Sequence, residues 1–217
     1  MNRKSIIFDM GGVLVDLDIE DCKNAFKQDL DYYKIDDIID PCHQKGIWGD
    51  LEEGVLSADE FRQIILEDAR PGTTAEDIDK AMARILVGID PYKAELLNRL
   101  SQEYDLYMLS NNNAICLPFS SRMFDDAGAP LNKVFRKCFM SFEMKTLKPS
   151  PEFYKKVIEE IGGPAEDMVF IDDSLKNVEG AIAVGLPAVH YVPGSNLSAL
   201  IADVLGDPSV LMEGVGR

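Results

Sequence analysis

Residues 4–16 read KSIIFDMGGVLVD, and their reading decides how the rest of the chain is understood. Ser5, Ile6, Ile7 and Phe8 form a short apolar run with β-branched and aromatic members, the pattern of a buried strand. Asp9 follows directly, and Gly11 and Gly12 make the next residues a glycine-rich turn. A carboxylate at a strand's end in such a turn is well placed to act as a nucleophile. Acid-base chemistry on the same loop usually wants a second carboxylate two residues on, and that position is Gly11.

Similar runs recur at Asp105–Leu109, Lys137–Met140, Met168–Ile171 and Ala188–Val192, and helical stretches lie between them. Asp90-Pro91 and Ser150-Pro151 each place an N-cap before a proline at the first helical position, and Gly162-Gly163 stops the second of these helices. The alternation predicts an α/β fold: a doubly wound, mostly parallel, Rossmann-like sheet, with ligands outside the carboxyl ends of its strands. From about Leu17 to Ile89 the rhythm changes. Ile19, Cys22, Phe26 and Leu30, then Ile78, Ala81, Met82, Ile85 and Leu86, fall at helical spacing. Ser57 and Glu60 have the form of a capping box, and Thr74 before acidic residues caps another helix. The expected organisation is therefore a core domain of residues 1–16 and 90–217, carrying a small all-helical insertion at 17–89.

The 217 residues can bury a sizeable core without disulfides, and 38 acidic against 22 basic residues give a formal charge of -16. Such a charge opposes binding to nucleic acid or anionic membranes. Cys22, Cys42, Cys116 and Cys138 lie far apart and read as small hydrophobes of a reducing compartment. Asp9 interrupts any signal-like segment, and no apolar run reaches transmembrane length. The expectation is a cytoplasmic monomer or homodimer, with no nucleic-acid or membrane partner.

Four complementary groups follow four of the strands: Asp9; Ser110 with Asn111; Lys148-Pro149; and Asp172 with Asp173. Each alone is ordinary loop chemistry, such as a turn former, a cap or a residue before a helix. Together, a nucleophilic carboxylate, a hydroxyl with adjacent N–H groups, a cation and a carboxylate pair make a phosphoryl-transfer site that needs Mg²⁺. The segments FDMGGVLVD, MLSNN, LKPSPEFY and VFIDDSLKNVEGA resemble, in order and spacing, the four motifs of the haloacid-dehalogenase-like hydrolase superfamily. The helical insertion resembles that family's small helical cap. FDMGGVLVDLD is most similar to a bacterial branch in which Gly or another residue replaces the second Asp, a branch that includes sugar-1-phosphate phosphatases.

The resemblance implies that Asp9 attacks phosphorus, becomes an aspartyl phosphate and also ligates Mg²⁺. Ser110 and the Asn111 N–H would bind the phosphoryl group, and Lys148 would neutralise charge shared with Asp9. Asp172, Asp173 and the main-chain carbonyl of Gly11 would complete the metal site. Asn177 either orients the acidic pair or caps its helix, the second reading being the simpler. Glycine at position 11 can neither protonate a leaving alcohol nor activate water, a loss of about 10²- to 10⁴-fold unless another group replaces it. Asp16, Asp18, His43, Asp50 and Glu52 are the candidates. His43 reads first as a surface histidine beside Trp48, which packs the cap, and the two read second as specificity residues facing the site; His190 reads as a core or strand-end residue. The expected activity is hydrolysis of a small phosphorylated metabolite such as a hexose 1-phosphate. A 2-haloacid dehalogenase and a non-catalytic phospho-ligand binder are the alternatives.

Overall fold

Every residue of β1 (Ser5–Phe8) is buried and both of its edges are paired, which puts it at the centre of the sheet. The computed structural model describes residues 4–39 and 46–212. After β1 come β2 (Val15–Leu17), β3 (Leu86–Ile89), β4 (Asp105–Ser110), β5 (Lys137–Met140), β6 (Met168–Asp172) and β7 (Ala188–His190). Five of these form one parallel sheet in the order β5-β4-β1-β6-β7. The chain builds outward from β1 through β4 and β5, then returns to add β6 and β7 on the other side. The order therefore reverses between β1 and β6, the switch point where open α/β sheets bind ligands. β7 stops at His190, short of the expected Val192, since Pro193 offers no N–H to extend the ladder.

Between β2 and β3 lie α1 (Ile19–Leu30), α2 (Ile35–Ile38), α3 (Gly46–Glu52), α4 (Ala58–Asp68) and α5 (Ala75–Ala83). The later strands are separated or followed by α6 (Pro91–Glu103), α7 (Cys116–Asp126), α8 (Leu131–Val134), α9 (Ser141–Met144), α10 (Pro151–Ile161), α11 (Leu175–Ala183) and α12 (Leu197–Leu205). The period-two alternation of a strand sends Ile6 and Phe8 into one apolar cluster, with Leu97 of α6 and Ile201 of α12. Ile7 enters the opposite cluster, with Phe153 of α10 and Ala181 of α11. Helices thus cover both faces, as a doubly wound sheet requires. None of the described helices is long and apolar enough to cross a membrane.

The inserted segment has its own core, in which Phe26, Trp48, Phe61, Ile65, Ile78 and Met82 are buried. Ser57 and Thr74 cap α4 and α5 through complete capping boxes with Glu60 and Asp77. The segment is not all-helical, however. α5 ends at Ala83, and Leu86, expected on a helical face, lies in β3, which pairs antiparallel with β2. The reason is a partner distant in sequence: β-branched Val87 and Ile89 prefer an extended backbone, and Val15 supplies the opposing edge. We propose the same division as the sequence suggests, a cap at 17–89 on a core of 1–16 and 90–217, with the β2–β3 pair where the chain leaves and re-enters the core. Ile115 and Cys116 of the core join the insertion's apolar cluster.

Candidate active site

One residue beyond β1, Asp9 donates its N–H to Ile171 O at 2.9 Å, which sets its side chain beside the end of β6. Asp9 Oδ1 accepts from Met10 N at 2.7 Å and lies 2.9 Å from Lys148 Nζ. The same ammonium donates to Asp172 Oδ2 at 2.6 Å, so Lys148 bridges two buried carboxylates. Carboxylate oxygens of Asp9, Asp172 and Asp173 all lie within 4.8 Å of one another. Above them opens a cleft of about 810 Å³, lined on the core side by Asp9, Gly11, Asn111, Lys148 and Asp173.

Neighbouring side chains hold this floor in place. Asn111 clamps the main chain of Lys148, accepting from its N–H at 2.8 Å and donating to its carbonyl at 3.1 Å. Asp172 Oδ1 accepts from Ser174 N at 2.8 Å and from Asn177 Nδ2 at 3.0 Å. Asn177 therefore orients Asp172 of the acidic pair, and the simpler reading of it as a helix cap gives way. A side-chain amide one turn into α11 reaches back to the strand end because Asp172 is itself the acceptor at the start of that helix. Ser110, at the end of β4, is 2% exposed, and its hydroxyl contacts the Asn111 carbonyl at 3.4 Å, a long and weak hydrogen bond. His190 stands at the end of β7 with Nε2 2.9 Å from Asp173 O.

Gly12 has φ +73, and a Cβ there would stand 2.1 Å from Asp173 Oδ2. Gly12→Ala should therefore displace the Asp173 carboxylate and strain the turn. A roughly 10²-fold loss of turnover is expected, since displacements of about 1 Å cost that much. Any divalent cation held by Asp9, Asp172 and Asp173 should bind more weakly in the variant, and a steady-state assay across a Mg²⁺ titration measures both effects.

Charge balance tests whether a divalent cation fits. Burial raises the Asp9 carboxyl well above its ordinary value; Lys148 opposes this, and Asp172 and Asp173 add to it. Burial also raises Asp173, with Asp172 as the next cause. For Lys148, burial disfavours the ammonium, but Asp172 and Asp9 outweigh it and hold its pKa above the usual value. Three carboxylates against one ammonium leave negative charge to be neutralised. The donors are hard oxygens, the set that Mg²⁺ takes.

The family model for haloacid dehalogenase-like hydrolases matches residues 4–185, a span that holds Asp9, Lys148 and the acidic pair. The chain belongs to the haloacid dehalogenase-like hydrolases. The chain is 34% identical over 176 residues to a D-ribitol-5-phosphate phosphatase of Bacteroides thetaiotaomicron, covering 81% of this chain and 85% of that protein. The Asp-to-Ala mutant of a HAD family enzyme of the same organism, crystallised with magnesium and inorganic phosphate, superposes with a TM-score of 0.86 at 32% identity, over 92% of this chain and 99% of that one. A HAD-like family hydrolase from Porphyromonas gingivalis gives 0.85 at 30% identity, over 94% and 98%.

In this hydrolase the space beside Gly11 is taken by Leu17, whose Cδ1 would lie 2.8 Å from a Cβ at position 11. Of the candidates for the missing acid-base group, Asp16 faces Lys93 Nζ at 3.2 Å and Asp18 caps α1 by accepting from Asp21 N. Neither lines the cleft, nor does Asp50, whereas Glu52 does. His43 lies outside the described residues. Trp48 packs the cap, as its first reading has it: it is 5% exposed, and its ring lies edge-on against Phe61 at 6.3 Å. Its Nε1 donates to Glu52 Oε1 at 2.8 Å, an i, i+4 contact along α3.

Ser141 escaped the sequence reading. Its hydroxyl accepts from Asn112 N at 2.9 Å and donates to Glu52 O at 2.6 Å, tying the insertion to the sheet. It follows β5 directly, so the rule that located the other groups just after strands would have found it. The described cysteines are free, and burial pushes the Cys22 and Cys138 thiols up to about 12, which suits their reading as apolar filler.

Proposed function

We propose that this hydrolase is a Mg²⁺-dependent phosphomonoesterase of a small phosphorylated metabolite, with Asp9 as its nucleophile. The observation that carries this is the Lys148 bridge: one buried ammonium holds Asp9 and Asp172 beside Asp173 at the floor of a cleft. In this reading a carboxylate oxygen of Asp9 attacks phosphorus and forms an aspartyl phosphate, which water then hydrolyses. Ser110 and the Asn111 N–H bind the phosphoryl oxygens, and Lys148 neutralises charge shared by Asp9 and the substrate. Asp9, Asp172, Asp173 and the Gly11 carbonyl would hold Mg²⁺, which supplies charge neutralisation at the phosphoryl group when bound. The carboxylate cluster favours this over metal-free dehalogenation. The retention of every group except the one at Gly11 favours it over a non-catalytic binder.

The similar phosphatase that acts on D-ribitol 5-phosphate supports a sugar or sugar-alcohol phosphate as substrate. A second reading comes from the cleft's other wall, where Leu17, Ile19, Ile38, Ile39 and Ile85 present apolar surface. Such a wall suits a phosphate ester with an apolar alcohol group. A panel of D-ribitol 5-phosphate, a hexose 1-phosphate, an isoprenyl monophosphate and an aryl phosphate, each with Mg²⁺ and with chelator, separates these. Turnover of at least one ester, lost on chelation, is expected. Binding without turnover would favour the non-catalytic reading, and halide release from a 2-haloacid without metal would favour the dehalogenase.

A further inference from the structure

Glu52 is a buried carboxylic acid that the chemistry above leaves without a task. It ends α3 and is 6% exposed, and it lines the cleft together with Asp9, Gly11 and Lys148. Trp48 Nε1, a donor only, engages Oε1 at 2.8 Å. Oε2 has no hydrogen-bond partner, alone among the buried side-chain nitrogens and oxygens of the described residues. A buried polar atom left unpaired is destabilising, so its presence calls for a use.

The main chain around Glu52 is fixed to the core at two points. Ser141 Oγ donates to Glu52 O at 2.6 Å, and Lys145 Nζ donates to Gly54 O at 2.6 Å. Gly54 has φ +70, and a Cβ there would stand 2.2 Å from Phe142 O, so only glycine allows this approach. The main chain around Glu52 is thus tied to the segment that follows β5, and its side chain lines the same cleft as Asp9.

We propose that Glu52 supplies the proton transfers that Gly11 cannot. The proposal rests on the phosphatase reading. As the Asp9–phosphorus bond forms and the ester O–P bond breaks, Glu52 Oε2–H gives its proton to the departing alcohol oxygen. The Glu52 carboxylate then takes a proton from the water that attacks phosphorus. The Asp9–phosphorus bond breaks, inorganic phosphate leaves, and Glu52 is again protonated. Burial pushes this carboxyl up to about 7, against the opposing pull of the Trp48 hydrogen bond and the Lys148 ammonium, so both protonation states are accessible near neutrality. Trp48 on its own helix and the Lys148 ammonium act on this carboxyl, the buried Cys116 thiol of α7 feels its charge, and Asp9, Glu53, Lys145 and Asp173 are further charged groups of the cleft lining.

Glu52→Gln keeps an acceptor for Trp48 and removes the proton. With D-ribitol 5-phosphate, whose alcohol leaves only when protonated, kcat should fall about 10²- to 10⁴-fold. With p-nitrophenyl phosphate, whose phenolate leaves unaided, the first step should survive and the second stall. The expected signature is a burst of one nitrophenol per enzyme with trapped aspartyl phosphate. Glu52→Asp should recover part of the loss. The variant's folding is read separately. The native carboxyl holds its proton up to about 7 while the unfolded chain releases it near 4.5, so wild-type stability falls as pH rises across that window. Glu52→Gln should therefore unfold at higher urea than wild type at pH 8 and at a similar concentration at pH 4. A kcat within about threefold of wild type on the alkyl ester overturns the proposal, even with a raised KM. Equal losses on both esters without a burst also overturn it. If the wild type with Mg²⁺ hydrolyses no ester of the panel above, the phosphatase reading itself fails, a result distinct from either; if it prefers another alkyl ester of that panel, the same comparison is made with that ester.

Discussion

Asp9→Asn is expected to abolish turnover, lowering kcat by about 10⁴-fold or more, because an amide oxygen cannot form the aspartyl phosphate of the proposed reaction. The fold should survive. Asn offers the same oxygen to Met10 N and Lys148 Nζ, the two groups that Asp9 Oδ1 engages at 2.7 and 2.9 Å. The sign of the stability change follows from the raised carboxyl. Burial first, with Asp172 and Asp173 adding, holds the native Asp9 pKa well above 3.8, while Lys148 opposes the shift. The native state thus keeps a proton that the unfolded chain gives up, and this group's contribution becomes less favourable as pH rises above its ordinary value. Without metal, the Asn variant should be at least as stable as wild type at pH 8, and the difference should vanish near pH 4. Urea denaturation at the two pH values beside steady-state kinetics checks both. Residual activity above about 1% of wild type would exclude Asp9 as the nucleophile.

Lys148→Met is expected to damage both stability and activity. The side chain length is kept but the ammonium between Asp9 and Asp172 is lost, and removing one partner of a buried ionic group costs about 3–5 kcal/mol. For a chain of 217 residues that is a fall in Tm of roughly 10 °C. The defect should be largest at high pH, where Asp9 and Asp173 ionise against each other, and should shrink as acid protonates them. Added Mg²⁺ should recover part of it if the three carboxylates form a cation site. Thermal melts from pH 5 to pH 8, with and without Mg²⁺, read this directly. A Tm unchanged across that range would show that the bridge carries little of the fold's electrostatics.

Much of this architecture is legible in the sequence because its signals are local. The apolar runs of β1 and β6, the caps at Asp90 and Ser150, and the capping boxes at Ser57 and Thr74 depend on residues a few positions apart, and each forms where expected. What was misread depends on distant partners. Ile85 and Leu86 sit at helical spacing after Met82, yet Leu86 enters a strand because Val15–Leu17 arrives alongside. Trp48 packs the cap, as its first reading has it, but its partner Phe61 is named only by the fold.

The same division runs through the candidate site. By itself the sequence determined which chemical groups stand at the ends of the strands, because a strand followed by Asp9, Ser110 or Asp172 is a matter of adjacent residues. It also determined that position 11 lacks a carboxylate. Among Asp16, Asp18, Asp50 and Glu52, however, it offered no ground for choice, since their environments are set by residues remote in the chain. The tertiary structure sets them apart: it pairs Asp16 with Lys93, uses Asp18 as a helix cap, and leaves Glu52, hydrogen-bonded by Trp48, in the lining of the cleft that holds Asp9. Proton affinity depends on burial and on neighbouring charge, and both come into being only when the chain folds.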